Sequence, residues 1–520
     1  MPRNRRTFIK RHIDEYCENS SLAGVKYVVA KDRSVFERAW WMIAITCSFL
    51  LSLYLIRGLW VKWNDSPVIV SFAEKSTSVW EIPFPAVTIC SSSRVRRSVF
   101  NYTKYYEMDD YELTEDERRK LSSVDLLCLK PDENGEELIN ESRIDSLEEV
   151  VTEEFIKICA WGNGLNINCS NRFTPIMTDR GYCFTSNSLS HSDIYHEDGL
   201  NSKYLKSLPN AIHWDLEKGY DNKAPLNMSY PLRVNNSGKK LGLSILMMMN
   251  TSEYDMLCSG FLKGFTVTLH NPAEIAPVSD RYFDVPLNQK VSLAVKPNMM
   301  TTSSNLRNYS PERRQCYFAH ERKLAFFKVY TQNNCEMECQ TNYSLKECGC
   351  VWFHMPRAKD TPICGGKRHD CVLFKAFEKR ITDEIHAKFN NEVGSTCNCL
   401  QSCTSLAYEA ETSQGNIMDI KDLMVLLDHP QLGAQDLSYS LLEIHFKYPQ
   451  FIASQRSALY GLSNFLGICG GLLGLTNGFC LLSLVEIIYY LTLRLYNNYY
   501  SQEEEERNDT EMDDLGELNV

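Results

Sequence analysis

Two long apolar runs stand out from an otherwise mixed pattern and set the organisation of the chain. The first, Ala39 to Ile56 (AWWMIAITCSFLLSLYLI), is uncharged and closed by Arg57. The second, Leu459 to Leu493, carries Gly461, Gly467, Gly470, Gly471, Gly474 and Gly478 up to just past its midpoint and one acid, Glu486, after them. A bilayer core about 30 Å thick takes roughly 20 helical residues, so the first run fits one span, while the second has spare backbone that can break or tilt. Broken helices at membrane depth usually line a pathway. Glycines four residues apart, Gly467 with Gly471 and Gly470 with Gly474 and Gly478, equally suit close helix packing.

Between the runs, short apolar stretches alternate with charged ones. Val68 to Phe72 and Ala86 to Cys90 read as strands, and Tyr111 to Leu127 and Leu138 to Cys159 carry helical spacing. Leu241 to Met249, Phe265 to Leu269 and Leu441 to Phe446 read as extended, and Val372 to Phe389 as a helix. No repeat, low-complexity linker or long Pro or Gly stretch divides this region, which predicts one large α+β domain with a β core and peripheral helices. The expected boundaries are 1–38 for an N-terminal segment, 39–59 for a first transmembrane helix, 60–448 for the large domain, 449–493 for a second transmembrane helix and 494–520 for an acidic tail.

Charge sets the orientation. The residues before the first run hold Arg3, Arg5, Arg6, Lys10, Arg11, Lys26, Lys31, Arg33 and Arg38, which places the N-terminus in the cytosol. Two spans then put both termini inside, with about 390 residues outside. A late start, excess length and large residues at its end distinguish the first run from a cleavable signal peptide. Of 20 cysteines, 16 lie between Cys90 and Cys403, in the part expected to be oxidising, while Cys17, Cys47, Cys469 and Cys480 lie in or inside the membrane. Glycosylation sequons recur in the same outer part, at Asn101, Asn140, Asn168, Asn227, Asn235, Asn250, Asn308 and Asn342. The net charge of -11 is modest for 520 residues and implies no nucleic-acid partner.

Nine of the outer cysteines crowd into 335–403, as Cys335, Cys339, Cys348, Cys350, Cys364, Cys371, Cys397, Cys399 and Cys403. Cysteines at i and i+4 on a helix, facing two at j and j+2, can form a ladder of bridges. A zinc cluster including His354 and His369 is the rival, but oxidising surroundings and the lack of repeated CxxC favour disulfides, so no metal or cofactor is expected. The ladder would make this part a stiff lever.

At the level of motifs the chain resembles the degenerin and epithelial sodium channel family, and its insect pickpocket branch most. The resemblance is carried by Phe84-Pro85-Ala86-Val87-Thr88-Ile89-Cys90, Gly181-Tyr182-Cys183-Phe184-Thr185-Ser186-Asn187, Gly264-Phe265-Thr266-Val267-Thr268-Leu269-His270, the cysteine ladder, and Gly470-Gly471-Leu472-Leu473-Gly474-Leu475 leading to Glu486. Tyr309-Ser310-Pro311-Glu312-Arg313-Arg314-Gln315-Cys316 points to the pickpocket branch. The resemblance implies a plasma-membrane homo- or heterotrimer, embedded in lipid, whose last spans line a sodium-conducting pore blocked by amiloride-type compounds. It pairs Cys90 with Cys183, Cys159 with Cys169, Cys316 with Cys403, Cys335 with Cys399, Cys339 with Cys397, Cys348 with Cys371 and Cys350 with Cys364. Cys128 and Cys258 remain and are expected to form an eighth bridge.

The family's Gly-x-Ser filter falls on Gly478, Phe479 and Cys480, where a thiol replaces the usual hydroxyl and makes monovalent cation permeation a safer expectation than high sodium selectivity. Gly467 falls on the position where bulk holds the gate open, with Gly470 and Gly471 beside it as further gating candidates, and Ile468 replaces a polar pore-mouth residue. The family's cytosolic His-Gly pair becomes Ala23-Gly24, which keeps Gly24 as a gating candidate. Glu486 reads either as an inner-pore cation site or as a residue reaching the cytosolic interface. The acids Glu107, Asp109, Asp110, Glu112, Glu115, Asp116 and Glu117 could store protons if forced together, or be a solvated helix face. The competing function class is a non-conducting or modulatory two-span surface receptor. An ATP-gated channel lacks its set of lysines here, and no HExxH, GxSxG or Walker A sequence supports an ectoenzyme.

Overall fold

A computed structural model of the chain describes residues 2–65, 68–108, 112–128, 135–151, 155–162, 164–167, 172–196, 210–221, 225, 228–390, 397–417 and 437–500. It divides into two compact units, one of residues 1–69, 305–308 and 457–520, the other of 70–304 and 309–456. The principal helices are α1 (Pro2–Asn19), α2 (Val25–Val29), α3 (Val35–Asp65), α4 (Gln332–Cys348), α5 (Ala376–Asn390), α6 (Leu462–Asn477) and α7 (Leu481–Tyr489).

The first unit is helical. α3 contains the first apolar run, and Ser52 is its one fully buried residue among those described. The second run forms α6 and α7, which bend by 72° at the break between them. The large apolar side chains of α3, α6 and α7 are mostly exposed, the reverse of a water-soluble core and the expected state of helices whose solvent is lipid.

The second unit is built on strands β1 (Val68–Phe72), β2 (Ala86–Ser91), β3 (Ile156–Trp161), β4 (Gly164–Ile167), β5 (Thr174–Thr178), β6 (Gly181–Ser186), β7 (Leu243–Asn250), β8 (Gly264–His270), β9 (Phe283–Pro286), β10 (Gln289–Thr302), β11 (Ser405–Asn416), β12 (Leu437–Phe446) and β13 (Ser454–Ala458). One sheet runs β1-β13-β10-β12-β7-β3-β4 with β11 on the other edge of β10, and a second runs β9-β8-β2-β6-β5. The long β10 is the spine of the first sheet. Its Lys290 to Val295 pair in parallel with Leu441 to Phe446, its last residues pair with β13, and its other edge takes the whole of β11.

The two sheets share one apolar core. Val87 and Ile89 of β2, Val267 and Leu269 of β8, Ile245 and Met247 of β7, and Val291, Leu293 and Val295 of β10 alternate inward as a period-2 pattern demands. The intervening Thr266, Thr268 and His270 of β8 are buried on its other face, where Thr88 Oγ1 lies 3.0 Å from His270 Nε2.

Seven bridges are present in the pairing stated above: Cys90–Cys183, Cys128–Cys258, Cys316–Cys403, Cys335–Cys399, Cys339–Cys397, Cys348–Cys371 and Cys350–Cys364. Cys159 is also disulfide-bonded, and the expected partner Cys169 lies outside the described residues. Cys335 and Cys339 sit one turn apart on α4, capped by Thr331 and closed by Gly349 in the left-handed region (φ 73°), which gives the ladder a rigid rail. The buried Asn334 on the same helix donates to the carbonyls of Ala273 and Val329 and accepts from Ile275 N–H, tying the rail to the loop after β8. α5 follows a π-turn at Cys371–Lys375, within the stretch expected to be helical.

Two expectations differ from the structure: within 449–493, expected as a second transmembrane helix, Ser454–Ala458 is strand β13 and the helix starts only at Leu462, and one expected helix ends early. The helix expected over Leu138 to Cys159 covers only Glu141–Val150, and Ile156–Trp161 is a strand paired with β7. The β-branched Ile156 and Ile158, with Trp161, fit a pleated surface better than a helix turn, and sheet pairing overrides the apolar helical spacing.

Leu293 is fully buried at the centre of this core. Leu293→Ala is expected to destabilise the fold by about 2–5 kcal/mol. A thermal-unfolding midpoint of the purified full-length chain unchanged by the substitution would contradict this packing.

Candidate functional site

The last apolar segment holds the candidate site. α6 ends where Gly478 takes a left-handed conformation (φ 67°), and its N–H donates to Gly474 O at 3.0 Å while Phe479 N–H donates to Leu473 O at 3.3 Å. Phe479 and Cys480 are non-helical, and α7 starts at Leu481. Ser483 caps that start: Cys480 N–H donates to Ser483 Oγ at 3.2 Å, and Cys480 Sγ lies 3.4 Å from the same oxygen. The expected filter residues therefore form a short break between two helices, with Cys480 exposed.

The N-terminal segment packs against this break. Ala23 N–H donates to Asn477 O at 3.1 Å, and a Cβ placed on Gly478 would stand 3.3 Å from Ala23 Cβ. Ser21 Oγ lies 2.9 Å from the buried Ser483 Oγ, and Ser21 N–H reaches both oxygens of Glu486 at 3.2 Å. Glu486 thus has a structural partner that neither expected reading supplied. Gly24 follows with φ 86°, and a Cβ there would meet the Trp41 ring at 3.1 Å, so both backbone and space call for glycine. The side chain at position 23 meets the break, although only Gly24 was singled out from the sequence.

A polar patch fixes the end of α6 to α3. Ser48 Oγ donates to Thr476 O at 2.6 Å, Ser52 Oγ lies 2.6 Å from Thr476 Oγ1, and Asn477 Nδ2 donates to Ser52 Oγ at 2.9 Å. Such bonds between apolar helices average about 0.6 kcal/mol each, so three together matter more than any one. Sequence reasoning passed over these residues, though Ser48 and Ser52, one turn apart in an apolar run, carried the signal. Further along, Arg494 and Asn498 donate to Glu15 of α1 at 2.7 and 2.9 Å.

The other gating candidates are placed differently. A Cβ on Gly467, Gly470 or Gly471 would meet nothing within 4 Å, so packing inside this one chain does not explain those glycines. Among the sequons, Asn140, Asn235, Asn250, Asn308 and Asn342 are exposed and Asn101 is partly exposed, while Asn168 and Asn227 lie outside the described residues.

The acidic stretch is a solvated helix start. Thr114 and Glu117 form a capping box, and Glu115 pairs with Arg118 and Arg119 and Asp116 with Lys120, all on Glu115–Asp125. Hydrogen bonds from Thr114 hold the Glu117 carboxyl below its usual range. Asp109 and Asp110 lie outside the described residues. At the end of β8 and just beyond it, burial pushes His270 down to about 4 and Glu274 up to about 7, the latter partly opposed by Arg281.

Residues 16–490 match the family described as amiloride-sensitive sodium channel. The chain is 29% identical over 511 residues to Pickpocket protein 28 of Drosophila melanogaster, covering 94% of this chain and 80% of that one. It is 24% identical over 504 residues to Pickpocket protein 11 of the same organism, covering 95% and 78%. With Sodium channel protein Nach of Drosophila melanogaster the identity is 22% over 515 residues, covering 95% and 89%.

Two tests follow from this geometry. A side chain at Gly478 adds left-handed strain of about 1–2 kcal/mol and presses on Ala23, so Gly478→Ala is expected to reduce current roughly tenfold at equal surface level. Gly474→Ala, whose Cβ would make an ordinary 3.5 Å contact with Phe479 O, should be tolerated, and equal currents from the two variants would contradict the strained break. For pH, a histidine depressed in the fold loses stability for it as pH falls from 6.5 toward about 4, whereas a raised Glu274 lends stability as pH falls from about 7 toward 4.5. Glu274→Gln removes the second effect, so its unfolding temperature should drop more than wild type between pH 7 and pH 5, and parallel profiles would refute the assignment.

Proposed function

This chain belongs to the amiloride-sensitive sodium channel family, close to its insect pickpocket branch, and from that premise we propose that it is a pore-forming subunit of a stimulus-gated sodium or monovalent cation channel in the plasma membrane. The family consists of ion channels and not enzymes. The observation that carries the proposal is the break at Gly478 to Cys480. In hydrocarbon, non-helical backbone is tolerated where it is buried in protein or lines a water-filled path, and here it presents Phe479 and an exposed Cys480 between two apolar helices.

Three such chains around an axis would bring the carbonyls of the break into a ring that replaces part of a sodium ion's hydration shell. The open faces of Gly467, Gly470 and Gly471 suit the approach of neighbouring copies or related subunits, and Gly467 would sit at the gate. Cys480 and Ile468 remove a hydroxyl and a polar mouth residue, so discrimination between sodium and potassium is expected to be weaker than in a Gly-x-Ser pore. The bridged second unit and its exposed sequons suit an extracellular position with both termini cytosolic, and block by amiloride-type compounds belongs to the same reading. In this reading, movement of the bridged unit is what opens the pore.

Voltage-clamp recording of wild type and Gly467→Trp tests the proposal. The bulky variant should pass constitutive cation current that falls when sodium is replaced by a large organic cation. Silence of a surface-delivered Gly467→Trp, alone or with related subunits, would favour a non-conducting receptor subunit. Glycosidase treatment of intact cells should shift the chain's electrophoretic mobility, and an unshifted, glycan-free chain at the surface would contradict the outside placement of the sequons.

A further inference from the structure

The second unit contains a cavity of about 590 Å³ at the edge of the smaller sheet, walled by the end of β2, the start of β8, β9 and the loop Ser259 to Lys263. Three cations line it. Arg94 Nη1 donates to Leu127 O at 2.6 Å, Arg180 Nη1 to Thr266 Oγ1 at 3.4 Å with its guanidinium 4.5 Å from the Tyr282 ring centre, and Lys263 Nζ lies 5.2 Å from the Tyr254 ring centre. Among the described residues none of the three has a carboxylate within ion-pair distance. Asp179 acts on Arg94 only at longer range, and Asp284, the one acid on the lining, is exposed and leaves the site net positive.

Beside these cations stand Phe261 and Leu262, 91% and 76% exposed. Their exposure does not come from a loose loop end. Cys258 is bridged to Cys128 just before the loop, Gly260 turns it at φ 89°, and Gly264 closes it so tightly that a Cβ would fall 2.5 Å from Val285 O. Two guanidinium groups and an ammonium without carboxylate partners, next to apolar side chains held out of the core, are complementary to a ligand with one anionic end and an apolar body.

We infer that this cavity binds a small amphipathic anion, with Arg94, Arg180 and Lys263 receiving a carboxylate-like headgroup and Phe261 and Leu262 covering the apolar body. Burial first and repulsion from the neighbouring Arg180 second hold the Arg94 guanidinium down to about 10, with Asp179 only partly opposing them, as two cations kept close together out of water require. Binding is read here without current, so the inference stands or falls apart from the pore assignment.

The test uses the full-length chain in lipid nanodiscs and a photoreactive trifluoromethyl-diazirinyl benzoate, with its methyl ester as the uncharged control. The benzoate is expected to label the Ser259 to Gly264 segment saturably, and the ester at least about tenfold less at equal concentration. Arg180→Gln and Lys263→Gln, chosen because Arg94 also braces Leu127, should each weaken benzoate labelling several-fold while elution profile and glycosylation stay those of wild type. Three outcomes would each overturn the inference: no labelling of the segment, which would mean that another chain covers the cavity; equal labelling by acid and ester, which would reduce it to a greasy surface; or labelling unaffected by Arg180→Gln in a normally folded chain.

Discussion

A helix that breaks among apolar neighbours must find partners for the backbone groups it releases, and the rest of the first unit is arranged around that requirement. The break at Gly478 to Cys480 frees carbonyls at the end of α6 and N–H groups at the start of α7. Ala23 N–H takes Asn477 O, Ser48 takes Thr476 O, and Ser483 takes Cys480 N–H. Two segments distant in sequence, the N-terminal turn and α3, are therefore fixed to one point. Glycine suits position 24 because the turn needs φ 86° and a Cβ there would press on the Trp41 ring at 3.1 Å.

The second unit solves a different problem, keeping a large mixed domain rigid. Its core between the two sheets is a layer of aliphatic and aromatic side chains, and bridges such as Cys339–Cys397, Cys348–Cys371 and Cys350–Cys364 lie in a second apolar cluster with Tyr343, Trp352 and Phe353, where they fasten the α4 rail. Cys128–Cys258 shows how stiffness serves chemistry, since it holds the loop that displays Phe261 and Leu262 beside three cations. A floppy loop would fold those side chains inward or leave them without a defined pocket.

Much of this was legible in the residues. The apolar runs and the strands at Val68 to Phe72 and Leu441 to Phe446 follow from local pattern, because each depends on neighbours in sequence, whereas the position of the break at Gly478 to Cys480 comes from the family resemblance, the glycines alone suiting packing equally well. What could not be read depends on partners far apart. Nothing near Ser21 announces Ser483, nothing near Arg94 announces Arg180 or Lys263, and the strand Ile156–Trp161 is stabilised by β7 and not by its own preceding helix. Glu486 illustrates the difference: its rarity in an apolar run was visible, but its partner, the Ser21 N–H, lies at the other end of the chain.

The native thiol of Cys480 gives the most direct test that the break lines the ion path. A small positively charged methanethiosulfonate applied during steady current should inhibit wild type progressively, a thiol reductant should reverse the inhibition, and Cys480→Ser should be immune. Inhibition that persists in Cys480→Ser, or a conducting wild type indifferent to the reagent, would contradict the placement of the pore at this break.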